Sequence, residues 1–388
     1  MKVLHVIPSI SPRRGGPGVA ALEMAAALRQ QGVEASLLTT NDDGPGLLAD
    51  LPLGRWIDHG GVPLLAFGRW SPPIGPLREF AVAPALSQWL AAHLADYDLL
   101  HVHALFSYPS TSAMAQARQA GVPYVISTIG QLCHWSLARS SRRKRLMLGL
   151  IERRNLNGAA ALHVTTAAER DQTASLGLDT AAVVIPLGVH LPSVGAAGDP
   201  GGDRLRAWTA DGPTRFLFLS RLHPKKQLEQ LLIALARVPG DWILQIAGEG
   251  EPAYLAALKR LADQLGIASH CQWLGFLAGE AKWRALAAAD WFVLPSASEN
   301  FGIAAIEALA AGLPVILSPE VAVAELLWSS GAALICSSES QALAASLERA
   351  LAKPSAELRQ EARRLAAERF AWPAIAGQLQ SAYGEVLR

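Results

Sequence analysis

The chain has 388 residues, 51% hydrophobic and 17% charged, with a net charge of +1. That length exceeds one ordinary core and suits two domains, and the near-neutral balance removes any global attraction to nucleic acid. Three scattered cysteines, Cys133, Cys271 and Cys336, make neither a disulfide framework nor a CxxC metal site, so a reducing, cytoplasmic location is expected.

The first residues, Met1-Lys-Val-Leu-His-Val-Ile-Pro8, read as a strand and not as a signal peptide, because the apolar run is short and Pro8 cuts it. No run reaches the roughly 18 apolar residues of a membrane span, so any membrane contact would be peripheral. After strand Val3–Ile7 comes a Gly- and Pro-rich loop, then a helix over Gly18–Gln30 with Pro17 at its start and Gly32 beyond its end. Val33–Thr39 is the next strand. Residues 41–76 are mostly loop, with a short strand near Val62–Phe67. Arg78–Leu94 reads as one helix. Leu99–His103, Val122–Ser127, Ala161–Val164 and Ala182–Ile185 are strands separated by helical patterns. Such a βαβ series predicts a parallel, doubly wound sheet.

The pattern weakens at Pro192–Gly202, the best linker candidate. A second series follows, with strands at Arg215–Ser220, Trp242–Ala247, Cys271–Leu274, Trp291–Leu294, Pro314–Leu317 and Ala332–Ile335, and closing helices at Ser355–Glu368 and Pro373–Leu387. The fold class is therefore α/β, with two doubly wound Rossmann-like domains. Their expected spans are 1–190 and 191–370, with 371–388 a C-terminal helix packing back on the first domain. Two such sheets facing across a cleft would place ligands at their carboxyl ends.

The stretch Pro295-Ser-Ala-Ser-Glu-Asn-Phe-Gly-Ile-Ala-Ala-Ile-Glu307 is a polar turn between the strand 291–294 and an apolar helix over Gly302–Ala311. A helix start offers unpaired N–H groups and the positive end of the dipole to an anion, and Gly302 lets a phosphate approach the backbone. Glu299 and Glu307 bracket that point. They read either as hydroxyl-binding groups of a sugar-nucleotide site, or as a solvent-facing carboxylate and a salt bridge. Arg221, Lys225 and Lys226 leave the end of the first strand of the second series, beside a helix start whose dipole they oppose. A bound phosphate would resolve that conflict; the alternative is a solvated charge pair. The Gly15–Gly16 turn is either a phosphate or sugar contact or a simple turn, since its spacing fails the dinucleotide fingerprint.

His101 and His103 share one face of their strand. A metal pair lacks an obvious third ligand. His101 reads as buried and hydrogen-bonded, whereas His103, nearer the strand's carboxyl end, is expected to contact substrate. Asp96-Tyr-Asp98 precedes its strand, the wrong end for a metal-using transferase motif. In Arg139–Arg154, the cations Arg142, Arg143, Lys144 and Arg145 lie beside Leu146, Met147, Leu150 and Ile151. This segment reads either as a helix on an anionic membrane or as a solvated face over the core.

Together these pieces resemble the group 1, or family 4, retaining glycosyltransferases of the GT-B fold. Glu299 and Glu307 match the E-x7-E motif around Asn300, Phe301, Gly302 and Ile303; Arg221 and Lys226 match the donor-diphosphate cations. Ile185-Pro-Leu-Gly-Val189 matches the interdomain I-P-N-G-V, with Leu187 for Asn. The turns at Ala247–Gly250 and Leu274–Phe276, with Gly248 and Phe276, match the nucleobase end, and His101-Val-His103 and Gly15–Gly16 match the first domain. The resemblance implies a first domain binding a glycan or lipid-linked acceptor and a second binding a nucleotide-sugar donor. It implies transfer with retention, as in cell-surface polysaccharide assembly, with no metal and no cofactor. Glu307 would hold the donor ribose, Glu299 and the backbone of Phe301–Ile303 the sugar and phosphate. Arg221 and Lys226 would stabilise the leaving diphosphate, which takes the acceptor's proton, so no protein nucleophile is assigned. The location implied is cytoplasmic, on the inner face of the membrane. One departure stands out: relatives often carry His after the strand ending Ser127-Thr128, where this chain has Ile129-Gly130. His134 or His103 would have to substitute.

Overall fold

The computed structural model describes residues 1–138, 141–192 and 212–388, with the side chains at 76 and 141–143 outside that description. The linker expected at Pro192–Gly202 lies outside the described residues from 193 onward. The chain divides into two compact units, Met1–Gly188 with Trp372–Arg388, and Val189–Ala371.

The first unit carries strands β1 (Lys2–Ser9), β2 (Glu34–Thr40), β3 (Trp56–His59), β4 (Val62–Phe67), β5 (Leu99–His103), β6 (Tyr124–Ser127), β7 (Ala161–Val164) and β8 (Ala182–Val184). They form one sheet in the order β8-β7-β6-β5-β1-β2-β4-β3, parallel except for the β3–β4 edge pair. Alternation sends Val3, Ile7, Leu37, Leu64 and Leu99 to one face, and Leu4, Val6, Leu38, Leu65 and Leu100 to the other. Both faces are covered, so the strands are apolar almost throughout. Helix Gly16–Gln30 and the C-terminal helix Trp372–Val386 cover the first face; Ile375, Ala376, Leu379 and Tyr383 bury there beside Met24 and Leu28. The Trp372 indole N–H donates to Glu23 (3.0 Å) and the Gln31 amide to the Pro373 carbonyl (2.5 Å).

Two sequence expectations change here. The helix expected over Arg78–Leu94 is two helices, Gly75–Glu79 and Pro84–His93. Pro84 lacks the N–H an interior position needs and instead starts the second helix, and Ala81 turns the chain at φ 56°. Strand β3 was not expected because it is mostly exposed and has no apolar alternation. Its signal is Gly60–Gly61, both at positive φ, the turn that a tight hairpin requires.

The second unit has β9 (Thr214–Leu219), β10 (Trp242–Ala247), β11 (Cys271–Gly275), β12 (Trp291–Leu294), β13 (Val315–Leu317) and β14 (Ala333–Ile335). The sheet is parallel, in the order β11-β10-β9-β12-β13-β14. The order reverses between β9 and β12, so the loops leaving those two strands diverge and leave room for a ligand. All three cysteines are free thiols. Among the described residues no helix is long and apolar enough to cross a membrane.

Candidate donor site in the second unit

The loops leaving β9 and β12 carry the cations and the carboxylates singled out above, and the fold brings them together. After β9 the chain passes exposed Arg221 into a short turn of helix, Pro224–Lys226, capped by His223, whose ring accepts from the Lys225 N–H (3.1 Å). Gln227 then takes φ 55° before helix Leu228–Leu235 begins. The lysines therefore precede that helix, which eases the conflict with its dipole that the sequence suggested.

The turn leaving β12 is clipped on both sides. The Ala297 N–H donates to the Lys225 carbonyl (2.8 Å). Glu299 N–H donates to the Glu320 carbonyl (2.9 Å), Glu299 O accepts from Ala322 (3.1 Å), and Phe301 O accepts from Val323 (2.9 Å). Ser318 Oγ donates to Ser296 O (2.6 Å). A turn so braced holds its groups in place before any ligand arrives, as electrostatic catalysis requires. Gly302 sits at φ 99° with Val321 Cγ1 2.7 Å from where a Cβ would stand, so only glycine fits there without strain. Helix Ile303–Ala310 follows with no side-chain cap. Phe301 is buried against Phe370 (6.2 Å, edge to face), so its side chain serves the core and only its backbone faces the turn.

Lys226 and Glu299 form an ion pair between the two loops, with side chains 10% and 19% exposed. Burial, then the charges of Lys225 and Arg221, lower the Lys226 ammonium to about 7. A buried cation short of full compensation is ready to take an anionic ligand. Glu307 is also paired, with Lys282 Nζ 2.6 Å from its Oε1. This is the salt-bridge alternative for Glu307, with a partner no spacing pointed to: Lys282 sits on helix Gly279–Ala288, after another strand. Neither carboxylate is loosely solvated. Asn300 is half-buried in the same turn. Phe276, 63% exposed beyond β11, is available to stack on a planar group.

Gly248, expected at the nucleobase end, stands in a closely packed turn. Its φ is 143°, and a Cβ would lie 1.8 Å from the Ser220 carbonyl oxygen. Gly250 packs as closely on Leu222, whose N–H donates to Glu249 O (2.7 Å). These glycines hold the Arg221 loop. Gly248→Ala is expected to cost about 3 kcal/mol through overpacking and strain and to weaken nucleotide binding with it. Denaturant melts and a nucleotide titration check this; native stability in the variant would overturn it.

In the first unit, Gly15 ends a short helical turn at φ 90°, and Gly16 starts the 16–30 helix at the carboxyl end of β1. Asp42 pins the approach to this turn, accepting from Arg14 (2.6 and 3.0 Å) and pairing with buried Arg69 (2.9 Å). Gly15 and Gly16 thus sit in a built turn.

His103, expected at the substrate, is instead in the core, 2% exposed, with Nε2 2.9 Å from His5 Nδ1. The reason is parity: positions 5, 101, 103, 127 and 163 all point to the face covered by the C-terminal helix. The Tyr383 hydroxyl bonds His101 Nδ1 (2.6 Å), His101 Nε2 bonds Ser127 Oγ (2.7 Å), Ser127 bonds His163 Nδ1 (2.7 Å), and His163 Nε2 bonds Ile185 O (2.8 Å). A carbonyl only accepts, so the chain has one sense, from the Tyr383 O–H through neutral histidines to Ile185. Burial is the main cause that lowers all four imidazoles, His5 to about 3. His5, His101 and His103 supply the third nitrogen donor that the sequence lacked, within 4.8 Å of one another. His101 spends both nitrogens on Tyr383 and Ser127, however, so it could bind a metal only by giving up one of those bonds. His5 and His163 escaped sequence reasoning because each stands alone on its strand; their shared odd positions were the available signal.

Ile129 adopts φ 50°, rare for a β-branched residue. Glu169, buried, holds the turn: it accepts from Thr128 Oγ1 (2.6 Å), Gly130 N (2.6 Å), Thr165 N (2.8 Å) and Thr165 Oγ1 (2.9 Å). His134 lies on helix His134–Ala138, with its ring near Ser175 Oγ (3.3 Å). Of the expected basic patch, the Arg142 and Arg143 side chains lie outside the described residues. Lys144 is turned inward, donating to Ser136 O (2.8 Å) and Oγ (3.1 Å) and lying over Phe106 (5.7 Å), so it leaves the expected row; Arg145 is exposed. Two open cavities of about 540 Å³ lie in the first unit, and neither is lined by Arg221, Lys226, Glu299 or Glu307.

Two doubly wound units, one with a cationic loop facing a braced acidic turn at its switch point, are the architecture of the GT-B fold. Comparison with known proteins makes the assignment specific. The family described as Glycosyl transferases group 1 matches residues 206–369, and the Glycosyl transferase 4-like domain matches residues 15–188. A D-inositol 3-phosphate glycosyltransferase of Mycobacterium sp. (strain KMS) is 30% identical over 334 residues, 81% of this chain and 73% of that protein. A phosphatidyl-myo-inositol mannosyltransferase of Mycolicibacterium smegmatis is 30% identical over 331 residues, 82% and 76% of the two chains. The sucrose-phosphate synthase of Thermosynechococcus elongatus shares the fold with TM-score 0.78 at 21% identity, covering 99% of this chain and 98% of that one. The chain belongs to the group 1 glycosyltransferases, and it is a glycosyltransferase of GT-B type.

Proposed function

We propose that the protein transfers a sugar from a nucleotide-sugar donor to a glycan or lipid-linked acceptor, with retention at the anomeric carbon and without a metal, in cell-surface polysaccharide assembly. The observation that carries this is the buried Lys226–Glu299 pair between the loops at the switch point, with Arg221 beside it. The donor diphosphate sits against Arg221, Lys226 and the start of helix 303–310, where its growing charge is stabilised as the glycosidic bond breaks. Glu307 holds ribose hydroxyls and Glu299 the donor sugar. The acceptor hydroxyl attacks from the face the leaving group departs, and its proton passes to the leaving phosphate oxygen. Support for such a donor comes from Anabaena HepE, whose fold is similar (TM-score 0.73, 21% identity, 99% of this chain and 100% of that one) and whose structure was solved in complex with UDP-glucose, with UDP alone and with UDP and glucose. The inositol-directed relatives support a polar, phosphate-bearing or lipid acceptor. The enzyme works in the cytoplasm, peripherally on the inner membrane face.

The test is incubation with a panel of UDP-, GDP- and ADP-sugars and lipid or glycan acceptors, following nucleoside diphosphate release and the anomeric configuration of the product. One donor is expected to be consumed, in the presence of chelator. Ile129, where relatives often carry His, favours a second reading, a sugar-nucleotide-binding protein without turnover. Donor binding with no transfer and no hydrolysis on any acceptor would select it.

A further inference from the structure

Outside the donor site, the first unit has a cavity of about 540 Å³ lined by Arg118, Gly149, Arg153, Arg154, Asn157 and Gly158. Three arginines meet there and no carboxylate lines it. Arg118 comes from helix Tyr108–Ala120; the others come from a wide helical turn, Leu148–Glu152, and the helix Arg153–Asn157 that continues it. A wide turn of this kind inserts a residue into a helix and re-aims the side chains after it, a device common at functional sites. Gly158 is part of the construction: a Cβ there would lie 2.5 Å from Arg118 Cδ and 2.8 Å from the Tyr124 hydroxyl, so glycine makes room for the Arg118 stem.

None of the three arginines is neutralised. Arg118 donates to Asn155 Oδ1 (2.9 Å), and its Nε is buried without an acceptor. Arg153 donates to the carbonyls of Leu176 (2.8 Å) and Gly177 (2.9 Å), which orient the guanidinium without cancelling its charge. Arg154 is exposed, with no ion pair among the described residues. Of the acids nearby, Glu152 is buried on Thr111 and Asn155, with its carboxyl raised by burial, and exposed Asp179 stands at the rim, bonded to the lining residue Asn157; neither pairs with the three arginines. Beside the cavity, on the preceding helical turns, Leu146, Leu150 and Ile151 are 62%, 73% and 43% exposed. Leu150 precedes Arg153 and Arg154 by three and four positions, the spacing of neighbours on a helix. Large apolar side chains standing this far into solvent next to uncompensated arginines are the two halves of a membrane-surface contact.

We propose that the Arg118–Arg153–Arg154 cavity binds the phosphate of an anionic lipid headgroup, with Leu146, Leu150 and Ile151 entering the acyl boundary beside it. The proposal rests on the peripheral-membrane part of the function proposed above and assigns it a defined headgroup site. Guanidinium groups grip phosphate oxygens through parallel hydrogen bonds. The apolar ridge is what selects a lipid over a free phosphate or a polar phosphorylated partner, neither of which would cover it.

Sedimentation of the full chain with vesicles tests this, using phosphatidylcholine alone or mixed with phosphatidylglycerol or phosphatidic acid. The wild type is expected to bind only the anionic vesicles. Arg153→Gln with Arg154→Gln is expected to weaken that binding about 25-fold, Arg154→Gln alone by about fivefold, and Leu146→Ser with Leu150→Ser by about tenfold. The single Arg154 variant guards against the loss of Arg153's structural bonds. Thermal shifts with glycerol 3-phosphate separate the two phosphate sources. A large shift, together with vesicle binding indifferent to the leucine variants, overturns the lipid assignment. So does a wild type that ignores anionic vesicles, or arginine variants that bind as it does. Nucleotide-sugar binding, read in the same samples, is expected to be equal in wild type and variants. Its loss throughout, with vesicle binding intact, defeats the glycosyl-transfer reading and leaves this one standing.

Discussion

Lys226→Ala is expected to lower glycosyl transfer by about 10²–10³-fold, the usual effect of removing one preorganised stabiliser of developing charge. Lys226 is the cation the fold has invested in most. It is buried, it joins the loops leaving β9 and β12, and its charge is held in place by Glu299. Structural and catalytic roles make different predictions for the pair. If Lys226 only neutralises Glu299, then Lys226→Met with Glu299→Gln is no slower than Glu299→Gln alone. If Lys226 stabilises the leaving diphosphate, the double variant is slower than Glu299→Gln alone by about the factor that Lys226→Ala costs, even where its stability recovers. Arg221→Ala is expected to behave like the second case with little change in stability, because Arg221 is exposed. The measurements are kcat and KM for the identified donor, alongside denaturant melts. A double variant as fast as Glu299→Gln alone would remove Lys226 from the chemistry.

The second large effect is on stability against acid. His5, His101 and His103 are buried neutral, held far below the ordinary imidazole value chiefly by desolvation. An unfolded histidine titrates near 6.5. Between the folded and unfolded values the unfolded state binds more protons, so stability is full above about pH 6.5 and falls as pH drops. From pH 7 to pH 5 His5, lowered to about 3, costs about 2 kcal/mol. His101 and His103 are displaced in the same direction and add to the loss, a large share of the stability of an ordinary domain. His163 adds less, because the Ile185 carbonyl and Glu169 oppose the drop. Denaturant unfolding at pH 7.5 and 5.0, read by a probe of the first unit, checks this. A flat profile would mean the rings are charged or solvated in the folded state. His5→Leu is expected to reduce the pH slope by one proton.

Much of the candidate site's placement on strand ends and turns was legible in the sequence. The E-x7-E spacing puts Glu299 in the turn and Glu307 on the helix after it, and Arg221 and Lys226 stand at a fixed distance beyond the end of a strand. These are local relations along one segment, and the strand–turn–helix pattern carries them. What was not legible lay between segments. Lys282 pairs with Glu307 across 25 positions, and nothing in either segment names the other. The close packing of Gly248 on Ser220 is visible only when two parallel strands lie side by side.

The histidines show the same boundary from the other side. His101 and His103 announce a shared face, because period 2 holds within any strand. Which face, and what covers it, depends on the C-terminal helix, whose Tyr383 hydroxyl reaches His101 across 282 positions. The sequence by itself determined the alternation of elements, the two parallel sheets, and the residue types collected at the carboxyl ends of the strands. Hydrophobic periodicity and turn chemistry act over a few residues and are written in order along the chain. Only the tertiary structure decided which carboxylate meets which ammonium, which histidines lie in the core, and that Arg118 shares one cavity with Arg153 and Arg154 from another segment. Those outcomes depend on strand order and on the burial it creates, and desolvation acts on a charge through everything packed around it, not through its neighbours in sequence.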